Sequence, residues 1–260
     1  MQKIRRSLLN AALAAPALAA AGLHAGARAR AQPGAKPLTF VLIHGAWHGG
    51  WVWERVADRL LAAGARVYAP TLTGVGERAH LLAPTVDLST HVNDVVGELA
   101  WKDLTDVILV GHSYAGMVIT GVAAKVPERL RSIVFLDAFV PMSGQSVMDI
   151  ARSKSPPSTA PVPPLPAESL VNAADVAWVR QKMTPQPGAT FSEPLASAAN
   201  LAGLAKRVYI RATVDAMPYF AAAYQKTSAD PAWTSYQIDC RHDAMLDQPE
   251  QLTKLLLACA

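Results

Sequence analysis

Ser113 lies in Gly111-His112-Ser113-Tyr114-Ala115-Gly116, and its flanks make it a candidate nucleophile. Asp106 to Val110 reads D-V-I-L-V, a short β-branched apolar run of the kind that forms a buried parallel strand. Tyr114 to Lys125 is rich in small and apolar residues and has the length of a packed helix. A serine held between strand and helix by glycines sits on a sharp turn that lifts its hydroxyl above the sheet. The hydroxyl is a weak nucleophile until a base takes its proton, and that base needs an acid to orient it.

The base is expected late in the chain. Thr234 to Asp239 alternates as a strand, and His242 follows it in C-R-H-D-A-M-L, before a helix from about Gln248. His44, His48, His80 and His91 all precede the serine, and His112 sits inside the turn itself. For the acid, Arg207 to Thr213 reads as a strand that closes on Val214-Asp215. Carboxylates at the C-terminal ends of such strands collect at the ligand site of open α/β sheets. Asp215 is the expected partner of His242. Asp137, which ends the preceding strand I-V-F-L-D, is its rival. Asp239 and Asp243 lie too near His242 in sequence to orient it easily, and a solvated or loop-holding role suits them better.

Negative charge that develops on a carbonyl oxygen needs fixed N–H donors. One is the peptide N–H of Tyr114, directly after the serine. The other is expected from the loop after the first strand, Leu38 to Ile43, which continues as H-G-A-W-H-G-G-W. Its glycines allow close backbone approach, and Ala46 N–H is the expected donor. Trp47 would wall the pocket, while Trp51 and Trp53 belong to the core at the start of the next helix.

These segments resemble, nearly throughout the chain after residue 31, the α/β-hydrolase branch that contains plant methyl esterases and hydroxynitrile lyases, with their bacterial esterase relatives. The residues that carry the resemblance are F-V-L-I-H-G-A-W-H-G-G-W, L-V-G-H-S-Y-A-G-M, V-Y-I-R-A-T-V-D and H-D-A-M-L. The resemblance implies an α/β-hydrolase fold, a mostly parallel sheet flanked by helices, with a lid inserted before the last two strands. It implies the triad Ser113, Asp215 and His242, and an oxyanion hole at Ala46 and Tyr114. The lyases of that branch carry a lysine directly after the catalytic histidine and a threonine after the histidine of the first loop. Here those positions are Asp243 and Gly45, which favours a serine hydrolase of small carboxylic esters working through an acyl-enzyme. A lyase or C–C bond hydrolase on the same triad is the alternative chemistry. A non-catalytic ligand-binding protein is the alternative from another class.

The elements that must position these groups fill one domain. Residues 32–140 and 207–260 read as the core and 141–206 as the lid. Six prolines between Pro156 and Pro166 interrupt the strand–helix rhythm and forbid regular helix there. Helices are expected over Trp51–Ala63, Thr90–Lys102, Ala173–Lys182 and Thr190–Ala199, and a short strand over Arg66–Ala69. Met142 and Trp178 are expected to contact substrate, with Met148, Leu165 and Met183 as further apolar lid residues.

Residues 1–31 read as an export signal of the twin-arginine type. Arg5-Arg6 precede an alanine-rich apolar stretch, and Ala29-Arg30-Ala31 offers a cleavage site. That segment holds five of the 24 basic residues and no acidic one, leaving 19 basic against 20 acidic side chains. A near-neutral body has no electrostatic footprint for nucleic acid. The expected location is periplasmic or secreted in a bacterium, with no stable membrane association once the signal is removed. The expected partner is a small-molecule ester, and a homodimer stays open. No cofactor and no metal is expected: there is no zinc spacing, Walker loop or dinucleotide fingerprint. Cys240 and Cys259 could pair in an oxidising compartment or simply be two small buried residues.

Overall fold

The computed structural model describes residues 36–214 and 217–259. The proposed signal segment lies outside the described residues, and so does Asp215. Residues 33–260 form one compact unit. Its elements in chain order are β1 (Thr39–Ile43), α1 (Glu54–Ala62), β2 (Arg66–Tyr68), α2 (Leu88–Trp101), β3 (Val107–His112), α3 (Ala115–Lys125), β4 (Leu130–Leu136), α4 (Val147–Ile150), α5 (Val176–Lys182), α6 (Ala189–Ser192), β5 (Arg207–Ala212), α7 (Pro218–Ser228), β6 (Thr234–Ile238), α8 (Ala244–Asp247) and α9 (Pro249–Ala258).

The six strands form one parallel sheet in the order β2-β1-β3-β4-β5-β6. Every residue of β1 and β3 is buried, as expected for strands covered on both faces. Alternate side chains feed two cores. Val41, Ile43, Leu109 and Phe135 pack with α2 and α3, whereas Phe40, Leu42, Val110 and Val134 pack with α1 and α9. All of α3 from Ala115 to Ala123 is buried. Burying each of its larger side chains, such as Val118 or Ile119, contributes about 1.5–3 kcal/mol.

The chain leaves β1 toward β2 on one side and returns to β3 on the other. Strand order therefore reverses at β1, and a ligand crevice is expected beyond the C-terminal ends of β1 and β3. The loop after β1 and the turn after β3 meet there. Residues 141–206 lie between β4 and β5 and hold the short helices α4, α5 and α6, two single 3-10 turns and irregular chain between them. The expected Thr190–Ala199 helix shrinks to α6 because Pro194 cannot donate a helical hydrogen bond and disfavours helix before it. Among the described residues no helix is long and apolar enough to cross a membrane. Cys240 and Cys259 are both buried and unbonded to each other.

Candidate active site

The turn after β3 places Ser113 at φ +56°. This left-handed backbone is uncommon for a residue with a side chain and costs on the order of 1–3 kcal/mol. It is held by Ser113 N donating to Leu136 O at 3.1 Å and by Phe139 N donating to Ser113 O at 3.2 Å. Gly116 is required by that second contact: a Cβ there would stand 2.0 Å from Phe139 O. Trp47 after β1 (φ +66°) and Asp137 after β4 (φ +41°) are also left-handed. Three strained residues therefore end three neighbouring strands at one edge of the sheet.

His242 follows β6 and is nearly buried. Its ring stacks on Phe220 with centroids 5.1 Å apart and planes 9° from parallel. Its Nδ1 lies 2.7 Å from Asp137 Oδ2. The other Asp137 oxygen accepts from Arg211 Nη1 and, at 3.3 Å, from Ala212 N. Asp137 is only 2% exposed, so its charge is met by donors rather than water.

The carboxylate at the base, among the described residues, is Asp137, the rival of the expected partner; Asp215 lies outside the described residues. An imidazole Nδ1–H has one acceptor position, and Asp137 fills it.

Ser113 and His242 face a single cavity of about 260 Å³, together with Ala46, Trp47 and Tyr114. Phe139, Val147, Met148, Ala151, Ser153, Leu165, Phe191, Met217, Tyr219 and Phe220 line it too, and among the described residues the walls carry no lysine, arginine or carboxylate. Two expected contact residues are elsewhere. Met142 is 55% exposed, in the loop between β4 and α4. Trp178, on α5, packs edge-on against Trp51 at 5.0 Å in the core on the far side of the sheet, where Met183 also packs.

The lid holds the loop after β1. Trp47 N donates to Gln186 Oε1 at 3.0 Å, Thr184 N donates to Trp47 O at 2.9 Å, and Trp47 Nε1 donates to Val162 O at 3.1 Å. Gln186 is buried and donates to Thr190 Oγ1 at 2.9 Å. No sequence periodicity singled it out, because it sits in a proline-rich stretch.

Four buried histidines surround the site with distinct protonation. His44 Nδ1 donates to Gly45 O and its Nε2 accepts from Leu72 N. Burial pulls its pKa down to about 3, with the charges of His48 and His91 adding to the effect. Burial likewise lowers His91, whose Nδ1 meets Tyr114 Oη. It lowers His112 strongly, with His242 adding to the shift. His48 goes the other way and is raised. Asp243, expected in solvent or holding a loop, is fully buried between His48 and His112.

His112, His242 and Asp243 bring three potential ligand atoms within 4.8 Å of one another. Nδ1 of His242 is taken by Asp137 and Nε2 of His112 by the His242 carbonyl at 3.1 Å. The donor set is thus engaged in orienting the base, and we assign it no ion.

Residues 40–255 match the profile of the alpha/beta hydrolase family. The chain belongs to that family. It is 43% identical over 237 residues to a carbendazim hydrolyzing esterase from a Nocardioides species, covering 83% of this chain and 97% of that protein. It is 29% identical to salicylic acid-binding protein 2 of Nicotiana tabacum, covering 84% of this chain and 95% of the relative. Among solved structures, an extracellular alpha/beta-hydrolase from a Paenibacillus species superposes with a TM-score of 0.72 at 28% identity, covering 86% of this hydrolase and 99% of that chain. The protein is a carboxylesterase-type serine hydrolase of the branch that its motifs resemble.

Proposed function

We propose that this hydrolase cleaves small, uncharged carboxylic esters with a flat or short acyl group, using Ser113, His242 and Asp137. The observation that carries the reading is the strained Ser113 turn facing, across one apolar cavity, a histidine whose Nδ1 is held by a buried carboxylate. Ser113 Oγ attacks the ester carbonyl carbon as its proton passes to His242 Nε2. The oxyanion is held by the peptide N–H groups of Ala46 and Tyr114. Collapse expels the alcohol, which takes the proton from His242. Water then attacks the acyl-enzyme, giving its proton to His242, and the acid leaves as Ser113 regains a proton. Asp137 keeps Nδ1–H oriented and balances the imidazolium.

The cavity walls support an uncharged substrate, since a carboxylate or ammonium would be desolvated against aromatic and aliphatic groups without a partner. The name of the Nocardioides relative puts carbendazim among the first compounds to try. The experiment is a panel of p-nitrophenyl esters of rising acyl length, with aryl esters, methyl esters and carbendazim, run beside fluorophosphonate labelling. Ser113→Ala is expected to fold normally, to lose labelling and burst kinetics, and to keep only residual turnover. Near-wild-type turnover in folded Ser113→Ala would overturn the assignment. So would failure of the wild type to label, which is the outcome a non-catalytic binding protein requires.

We also propose that the chain is exported, with residues 1–31 as a cleaved signal. Arg5-Arg6 and Ala29-Arg30-Ala31 support this, and so does the extracellular character of the Paenibacillus structure. Mature protein recovered outside the cytoplasm should begin at Gln32. An intact N-terminus on the exported protein would refute the cleavage.

A further inference from the structure

We propose that His48 and Asp243 form a positioning ion pair that fixes the oxyanion loop to the loop of the catalytic base. This deepens the esterase reading and rests on it. His48 Nδ1 lies 2.7 Å from Ala46 O. A carbonyl only accepts, so Nδ1 carries a proton. His48 Nε2 lies 3.2 Å from Asp243 Oδ2, both side chains being almost wholly buried. The second ring nitrogen thus faces a buried carboxylate, and an imidazolium at His48 sets its charge directly against that of Asp243.

The Nε2 contact is an ion pair rather than an aligned hydrogen bond, and among the described residues neither Asp243 oxygen makes an aligned one. The pair's grip is therefore mainly charge on charge, which is strong in a buried site. Burial works against both charges. For His48 it is outweighed by the Asp243 charge and by the hydrogen bond to Ala46 O, so its pKa is raised. For Asp243 the charge of His48, with His112 and His242 adding to it, outweighs burial and holds it below the usual carboxylate range.

Geometry gives the pair its consequence. Ala46 is the proposed oxyanion donor, and His48 holds the carbonyl of that same residue. Asp243 directly follows the base, and its N–H donates to Leu170 O in the lid at 2.9 Å. The pair thus ties Ala46 to His242 across the cavity. His112 reinforces it: Nε2 bonds the His242 carbonyl, and Nδ1 packs so close to Gly45 that a Cβ there would stand 2.8 Å away. The titratable groups facing the pair are His44 and His112, both held neutral by burial, with His242, Asp247 on α8, and the Cys240 thiol, which burial keeps protonated. Among the described residues, the carboxylate paired with His48 is that of Asp243.

The sign follows from the raised His48 value. The pair is intact below the folded pKa and lost as pH rises through it. The test measures kcat and KM for p-nitrophenyl acetate from pH 6 to 10, with melting curves, for wild type, Asp243→Asn, Asp243→Leu and His48→Gln. Wild-type kcat should show an alkaline limb that Asp243→Asn removes, since an uncharged amide leaves His48 neutral throughout. Asp243→Leu should lower kcat by about 10- to 100-fold with KM within about threefold, the loss expected from a shift of catalytic groups by an ångström or less. If Asp243→Leu does not fold, His48→Gln carries the test. It keeps a donor toward Asp243, loses the tie to Ala46, and should show the same kcat loss. A changed melting point with unchanged kcat, or an identical alkaline limb in wild type and Asp243→Asn, would overturn the proposal. Absence of any Ser113-dependent turnover in the wild type would instead take down the site reading beneath it.

Discussion

Asp137 Oδ2 and His242 Nδ1 meet at 2.7 Å, joining the end of β4 to the loop after β6 across the whole width of β5. The strand between them supplies the second clamp, because Arg211 on β5 bonds the other Asp137 oxygen. The left-handed Asp137 backbone is pinned by its own N–H, which donates to Ile210 O at 2.7 Å. The carboxylate is thus fixed from two strands before it reaches the base.

Asp137→Asn is therefore expected to lower kcat on the order of 10⁴-fold, because the amide would favour the wrong imidazole tautomer. Asp215→Asn should cost far less. Steady-state kinetics on the two variants, with circular dichroism to confirm folding, decides the matter. If Asp215→Asn were the crippled one, the acid would belong after β5.

What the sequence disclosed and what it withheld differ in kind. Ser113 and His242 were legible because each depends on local order: an apolar strand, a turn residue, a helix. The choice between Asp137 and Asp215 depends on which way one imidazole points. Both aspartates follow apolar strand-like runs in the sequence, so sequence pattern could not separate them. Met142 and Trp178 failed as contact residues for a related reason. The lid has no period, and an apolar residue in it can face the cavity, the far core or water. Gln186 and His48 were invisible as site residues because their partners are backbone groups or residues far away in the chain.

Gln186 gives a test of the lid's part. Replacing it by leucine removes the acceptor of Trp47 N–H and the donor to Thr190. A buried N–H left without a partner costs about 1–3 kcal/mol, and the loop carrying Ala46 loses one of its fixings. The expected result is a lower melting temperature together with a kcat loss of about tenfold or more. A destabilised protein with unchanged kcat would show that Gln186 supports the fold but not the loop's catalytic geometry.

The buried neutral histidines predict acid sensitivity. His44 has its pKa lowered to about 3 in the folded protein, against about 6.5 in an unfolded chain. Between these values the unfolded state binds more protons, so stability is full above 6.5 and drains away as pH falls through the window. His91 and His112 shift in the same direction. Each such group adds a slope approaching about 1.4 kcal/mol per pH unit in mid-window. Urea midpoints measured at pH 7, 6 and 5 should fall steadily, before most carboxylates titrate, and His44→Gln should flatten the slope. A midpoint constant from pH 7 to 5 would contradict neutral burial.

The chemistry that remains to be separated is ester hydrolysis from cyanide release. A lyase of this branch must stabilise an anion as it departs, and a positive charge beside the leaving group does so electrostatically. At the corresponding position this chain has Asp243, whose charge is matched by His48 behind the oxyanion loop and is not available to the cavity. Gly45 offers no hydroxyl and could not acquire one cheaply, since any Cβ there would collide with His112 and Ser113. Two lysines that could otherwise supply a cation, Lys182 and Lys206, have partners elsewhere. Lys182 lies over the rings of Trp51 and Trp178 at 5.6 and 5.4 Å, and Lys206 donates to Ala258 O. Among the described residues no lysine or arginine lines the cavity. The expected outcome is hydrolysis of simple aryl or short-chain esters, with no cyanide released from mandelonitrile or acetone cyanohydrin above the uncatalysed rate. Cyanide release that exceeds background and vanishes in Ser113→Ala would overturn the esterase reading.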